Sequence, residues 1–160
     1  MWSRIALVLG LVIAMTPTAH ADDREKLVGV WKLISWEYEF RDTGERKAVF
    51  GKSVNGYLIF TREGRTMIVA EGEGRKTPQS DAERVTAFQT MVAYSGIDRI
   101  EGDKWIVKVD TAWNPAWKGT EQTRTFKLEG DRLDVINQWQ PNVNLGGKMT
   151  RAILTWERVK

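Results

Sequence analysis

The 160-residue chain contains no cysteine and only one histidine, His20. Without cysteine, no disulfide can form, and no thiolate can act as a nucleophile or metal ligand. With one imidazole at most, zinc, copper and haem sites lack their usual ligands, and Ser-His-Asp catalysis would depend on His20. Carboxylate, lysine or tyrosine chemistry stays open, as does binding without chemistry. We predict no metal ion and no cofactor.

The first 21 residues have the pattern of a secretory signal peptide. Arg4 precedes an apolar run over residues 5–15, and Ala19-His20-Ala21 is a typical cleavage site. As a helix, the run would rise about 16 Å, roughly half of a bilayer core, which disfavours the alternative of a membrane anchor. No cysteine follows the run, which argues against a lipid-anchored lipoprotein. We therefore expect cleavage after Ala21, loss of His20, and a mature domain over residues 22–160 in the periplasm or outside the cell.

Charge gives little support for a nucleic-acid partner. The net charge of +3 comes from 24 basic and 21 acidic residues that alternate along the chain. Proteins that bind DNA or RNA usually concentrate basic residues on one face. We therefore expect no nucleic acid and, outside the signal peptide, no membrane span.

The mature chain is predicted to be a single all-β domain. Short β runs are separated by polar turns that contain glycine, and their regular spacing is typical of an antiparallel meander. The predicted strands cover residues 30–40, 57–61, 66–71, 93–100, 104–111, 120–128, 132–139 and 149–159.

One segment, residues 81–92, has helical spacing instead. Its apolar residues are Val85, Phe88, Met91 and Val92, and either Ser80 or Asp81 can cap its N-terminus. This spacing predicts one helix that plugs or flanks the sheet, with a mobile lid over a pocket as the alternative.

Alternation of side chains along the strands indicates which residues face the interior. It places Gln122, Arg124, Phe126 and Leu128 together on one face, and Asn137 and Trp139 on the apolar face that begins with Leu133. Trp105, Val107 and Val109 form a third apolar face. The first strand is ambiguous: Trp31, Leu33, Ser35 and Glu37 point inward together, unless a bulge turns Ile34, Trp36 and Tyr38 inward.

Several stretches resemble the bacterial lipocalin-like domain family. The G-x-W signature of lipocalin-type barrels appears at Gly29-Val30-Trp31, at the start of a family-like opening over residues 27–37. Further family-like stretches cover residues 56–61, 93–96, 114–124, 128–133 and 154–158.

The resemblance implies an up-and-down antiparallel barrel of eight to ten strands with an internal cavity. By analogy with lipocalins, Trp31 would close the barrel floor with Arg158 packed over it, so Gly29, Trp31 and Arg158 are assigned structural roles. Members of the family often carry histidine near residues 107–109, and this chain has none.

The leading hypothesis is an exported protein that binds a small, mostly apolar or amphipathic molecule in a cavity lined by aromatic side chains. Seven of the eight tryptophans lie in the mature chain, and buried indoles need hydrogen-bond partners, which favours a cavity over a core that contains them all. The predicted ligand-binding residues are Ser35, Glu37, Tyr57, Trp113, Gln122, Arg124 and Trp139. Glu37 and Arg124 are expected to pair across the barrel, because a buried charge is costly alone.

Two alternatives stay open. One is a lipocalin-like isomerase, cyclase or hydrolase that uses carboxylates such as Glu37 and Asp110. The other is a structural module of the envelope whose barrel is filled by side chains.

The loop over residues 113–119 is predicted to lie at the barrel rim. Pro115 and Gly119 interrupt two strong strands, and such a loop cannot bury its backbone deeply. We assign Trp113 to the entrance of the pocket and Trp117 to structural packing.

Overall fold

The computed structural model describes residues 24–48 and 50–160. The predicted signal peptide and its cleavage site lie outside the described residues. The β-strands are β1 (Gly29–Phe40), β2 (Arg46–Lys47), β3 (Asn55–Phe60), β4 (Arg65–Glu71), β5 (Met91–Glu101), β6 (Lys104–Ala112), β7 (Glu121–Glu129), β8 (Arg132–Ile136), β9 (Gln140–Asn142) and β10 (Lys148–Arg158). Helix α1 covers Asp81–Gln89, and short 3-10 helices cover Pro115–Trp117 and Val143–Leu145.

The described strands form a closed antiparallel barrel. Pairing follows the order β1-β3-β4-β5-β6-β7-β8-β10, and β10 pairs with β1 to close the ring, while β2 and β9 extend its edges. The predicted all-β, up-and-down barrel is therefore confirmed, with eight strands in the closed ring.

The two ends of the barrel differ in the length of their connections. At one end, the chain turns through residues 61–64, 102–103 and 130–131, where Gly102 and Gly130 adopt φ of 61° and 59°. At the other end, the connections cover residues 41–54, 72–90, 113–120 and 137–147. We call these the closed end and the open end.

Arg158 and Trp31 seal the closed end. The Arg158 guanidinium carbon lies 4.1 Å from the centre of the Trp31 ring, and its Nη1 donates to the Val28 carbonyl at 2.8 Å. The Trp31 indole donates to the Leu27 carbonyl at 2.8 Å. Both Leu27 and Trp31 are fully buried, and the Arg158 guanidinium covers the Trp31 ring at this end.

A bulge in β1 resolves the ambiguity of the first strand. Leu33 pairs with Trp156, but the register then shifts, so that Ser35 pairs with Thr155 and Trp36 with Leu154. Leu33, Trp36 and Tyr38 therefore face the core. The prediction that a bulge would also bring in Ile34 is wrong, because Ile34 lies at the bulge and is 45% exposed.

Helix α1 is shorter than predicted. Met91 and Val92 belong to β5, and the helix ends at Gln89. Ser80 caps its N-terminus as expected: its Oγ accepts from the Glu83 backbone N–H, and the Glu83 carboxylate accepts from the Ser80 N–H. No described residue of the helix is buried, and Val85 and Phe88 are 55% and 45% exposed. The helix therefore flanks the open end and does not plug the barrel.

Candidate functional site

A cavity of about 350 Å³ opens where β7 and β8 separate near the open end. Pairing between the two strands stops at Thr125 and Ile136, because the chain leaves β8 there and continues toward β9. One side of the cavity is formed by the unpaired half of β7 and Trp117, and the other by the chain after β8. Its lining residues are Trp117, Glu121, Gln122, Thr123, Arg124, Asn137, Gln138 and Gln140.

Arg124 is the cation of this cavity. It lies opposite Trp105 in the register of β6 and β7, and Trp105 belongs to the core, so both side chains face inward. Its Nη2 donates to the Gln122 Oε1 at 3.1 Å and its Nη1 to the Thr123 carbonyl at 2.9 Å. Among the described residues, no carboxylate pairs with Arg124.

A chain of aromatic rings leads from Arg124 to helix α1. Trp117 lies 5.8 Å from the Arg124 guanidinium, and the rings of Trp117 and Trp113 are 4.8 Å apart, edge to face. Trp113 continues to Phe88 at 5.9 Å, and its indole donates to the Phe88 carbonyl at 3.2 Å. Trp113 therefore anchors the helix, while Trp117 presents its ring to the cavity.

Tyr94 packs on the inner side of this chain. Its ring lies 5.5 Å from Trp117, and the residue is 6% exposed. Burial raises the pKa of Tyr94, and the positive charge of Arg124 opposes part of this increase. The phenol therefore stays protonated at neutral pH and retains its donor.

Several buried polar atoms in the barrel have no hydrogen-bond partner among the described residues. They are the indole nitrogens of Trp36, Trp105 and Trp156 and the hydroxyl of Thr150. An unsatisfied buried donor costs about 1–3 kcal/mol.

Of the predicted ligand-binding residues, the structure brings Gln122 and Arg124 together at the cavity and places Trp113 beside it. Trp117, which was assigned to packing, packs against the core and also lines the cavity. Trp113, which was assigned to the entrance, contacts Phe88 and Trp117 beside the cavity. The expected aromatic lining is wrong for this cavity. Trp117 is the only aromatic residue among the described residues that line it, and most of the others are polar.

The prediction that Ser35 and Glu37 face the interior is wrong. Their partners in β10 are Thr155 and Ile153, which lie on the opposite face from the core residues Leu154 and Trp156. The β1 bulge causes this change, because it shifts the alternation by one residue. The expected Glu37–Arg124 pair is therefore absent.

Tyr57 and Trp139 also lie on the outer face. Tyr57 is 47% exposed, and Lys32 lies 4.4 Å from the centre of its ring. Trp139 follows the end of β8, so strand alternation no longer sets its direction. It stacks under Arg151, which pairs with Glu39 at 2.6 Å on the outside of the barrel.

The carboxylates considered for acid–base chemistry do not face the cavity. Glu37 points outward, and Asp110 binds Arg65 at 2.6 Å and the Ser95 hydroxyl at 2.9 Å. These hydrogen bonds lower the pKa of Asp110. Within the described residues, no group of three or more histidine or acidic side chains is placed to hold a metal ion.

Sequence reasoning missed Tyr94 and the cavity role of Trp117. Alternation in β5 could have predicted that Tyr94 faces inward. One buried face of this strand is shared by Tyr94, Gly96, Asp98 and Ile100. The Trp117 role had no comparable signal, because this residue lies in a loop.

A closed antiparallel barrel with one sealed end and a cavity near the other is an architecture that encloses small ligands. The chain belongs to the lipocalin-like domain family, whose model matches residues 28–159. The crystal structure of an uncharacterized protein from Bacteroides eggerthii DSM 20697 is similar at 15% identity, with a TM-score of 0.42, and the match covers 83% of this chain and 99% of that chain. No curated protein matches this chain. Within the described residues, none of the helices has the length and apolar character needed to cross a membrane.

Proposed function

We propose that this protein is an exported binding protein that holds a small, largely apolar molecule at the open end of its barrel. The cavity beside Arg124 carries this proposal. Its volume of about 350 Å³ falls within the range of small-molecule sites, about 300–1,000 Å³. The ring of Trp117 supplies an apolar surface, and the amides on the other side supply hydrogen bonds.

The unsatisfied indoles of the interior support the same proposal. The buried nitrogen of Trp105 has no partner among the described residues, and Trp105 lies in register with Arg124. Because a missing hydrogen bond costs free energy, a ligand that supplies an acceptor would be favoured.

Export is the second part of the proposal. It is supported by the basic start, the apolar run at 5–15 and the Ala19-x-Ala21 motif. A domain without cysteine can mature without disulfide chemistry in an oxidising compartment. The protein for binding experiments is therefore best purified from the periplasm or medium of expressing cells, where N-terminal sequencing should read Asp22 first.

A neutral apolar dye tests binding. N-phenyl-1-naphthylamine is expected to bind the mature protein saturably at one site, with a rise in dye fluorescence and quenching of tryptophan emission. Trp117→Ala should weaken binding at least several-fold, because it removes the aromatic wall of the cavity. Trp139→Ala is the matched control, since it removes an equally large, half-buried indole from the outer face.

Circular dichroism should show that both variants keep the β fold. A dye signal that rises without saturation, or equal losses in the two variants, would contradict binding at this cavity.

A further inference from the structure

The charge of Arg124 has no counterpart in the part of the chain that the structure describes. Other arginines contact carboxylates closely: Arg65 at 2.6 Å, Arg99 at 2.8 Å and Arg151 at 2.6 Å. Arg124 is half-buried, faces inward and contacts only an amide oxygen and a backbone carbonyl. A charge removed from water without an opposite charge is costly, which leaves this position in need of an anion.

The guanidinium is held in a fixed position with donors to spare. Gln122 is itself fixed, because its Nε2 donates to the Thr120 hydroxyl at 2.9 Å while its Oε1 accepts from Arg124. Two hydrogen bonds engage two of the five N–H donors of the arginine, and its planar fork suits a carboxylate. The site is therefore built to present an arginine, with Gln122 as a positioning residue.

The residues that line the cavity favour a ligand with a single negative charge. Glu121 lines the same cavity, and its carboxylate binds Arg99 at 2.8 and 3.2 Å. Asn137, Gln138 and Gln140 on the opposite side are neutral amides, and no second cation lines the cavity among the described residues. A dianion would meet one cation among the described lining residues, so its second charge would lie there without a partner.

We propose that the ligand is an amphipathic monoanion, with a carboxylate held by Arg124 and an apolar body against the ring of Trp117. This inference rests on the proposed function and names the class of molecule that the site takes. The ring of Tyr94 belongs to the buried core and packs edge-on against Trp117, which supports the Trp117 ring from the inner side. Charge and apolar surface thus lie side by side at one entrance.

Two dyes with the same apolar body test the charge preference. 1-anilinonaphthalene-8-sulfonate carries one sulfonate, and N-phenyl-1-naphthylamine lacks it. The mature protein should bind the sulfonate dye about ten- to hundredfold more tightly, the usual range for a charge-assisted hydrogen bond at a partly buried site. Arg124→Gln should reduce this ratio to near one, chiefly by weakening binding of the sulfonate dye. Arg46→Gln removes the same charge from the exposed strand β2 and should leave the ratio unchanged.

A second variant tests the same point without deleting the arginine. Gln122→Glu places a carboxylate where the amide oxygen already accepts from Arg124, so the guanidinium gains an internal partner. This variant should remain folded and lose the preference for the sulfonate dye. Retention of the full preference in both Arg124→Gln and Gln122→Glu would overturn the inference.

Competition distinguishes the kinds of head group. Dodecanoate should displace the sulfonate dye at a lower concentration than dodecan-1-ol or dodecyl phosphate. Stronger displacement by the phosphate would overturn the monoanion assignment. If both dyes bind the unmodified protein equally well, the anion inference is wrong and the proposed function stands; if neither dye binds, both are wrong.

Discussion

At Gly29, the sealed end of the barrel leaves no room for a side chain. Its φ is +138°, and a Cβ built there would lie 2.8 Å from the Nη1 of Arg158. That nitrogen donates to the Val28 carbonyl, and its guanidinium covers the Trp31 ring. The G-x-W signature thus has a physical reason in this chain: glycine leaves the space in which the arginine reaches the tryptophan.

Gly29→Ala is expected to destabilise the protein by about 2–3 kcal/mol. The added methyl group strains the backbone and displaces Arg158 from Trp31 and from the Val28 carbonyl. Unfolding in guanidinium chloride, followed by tryptophan fluorescence, measures the change. Gly44→Ala is the matched control, because Gly44 also has a positive φ of 68° but no atom within 4 Å of its Cβ position. Equal losses in the two variants would show that backbone strain alone matters at Gly29.

At the scale of single elements, alternation located most strands and failed where an element was irregular or ended. Trp105, Val107 and Val109 on β6, and Gln122 and Arg124 on β7, face inward as predicted. The rule failed for Glu37 because one bulge reverses every side chain after it. It failed for Trp139 because β8 ends at Ile136, and neither the bulge nor the strand end has a clear signature in local sequence.

Helix α1 depends on its N-terminal cap more than on the core, since no described residue of the helix is buried. The Glu83 carboxylate accepts from the backbone N–H groups of Gln79 at 2.6 Å and Ser80 at 3.0 Å. These hydrogen bonds favour the charged form and lower the pKa of Glu83. Because the pKa of Glu83 is lower in the folded state, its charged carboxylate stabilises the helix at pH values above the pKa of glutamate in the unfolded chain, which is about 4.3.

Acidification is therefore expected to open helix α1 before the barrel unfolds. The stabilisation by Glu83 should be complete at neutral pH and be lost as the pH falls below about 4, through the folded pKa of the carboxyl group. Amide proton exchange over Asp81–Gln89 would show this as faster exchange at low pH, after correction for the intrinsic rate. In Glu83→Gln the corrected exchange should vary much less with pH. An equal pH dependence in both proteins would assign the effect to another group.

On the scale of the whole molecule, the sequence predicts the barrel better than it predicts the site. Alternating strands with glycine turns, together with the G-x-W start and a final strand over residues 149–159, predict a closed barrel. The cavity depends on where β7 and β8 separate and on which loop residue covers the gap. The cavity brings together Trp117 and residues about 20 positions later in the chain. Side-chain alternation describes one strand at a time, so it does not predict this contact.

The difference between the two ends predicts that the closed end is locally more stable than the open end. The closed end has short turns, the buried Trp31–Arg158 contact and fully buried side chains such as Trp105 and Leu133, so its amides should exchange slowly. The open end carries the long connections and should exchange faster.

Addition of 1-anilinonaphthalene-8-sulfonate should slow exchange over residues 113–124 and 137–142, which surround the cavity, and leave the turns at 102–103 and 130–131 unchanged. Hydrogen–deuterium exchange with mass spectrometry measures both effects, and Trp117→Ala should abolish the dye-dependent part. Protection at the closed end instead would move the binding site to the floor and contradict the assignment of the open end as the entrance.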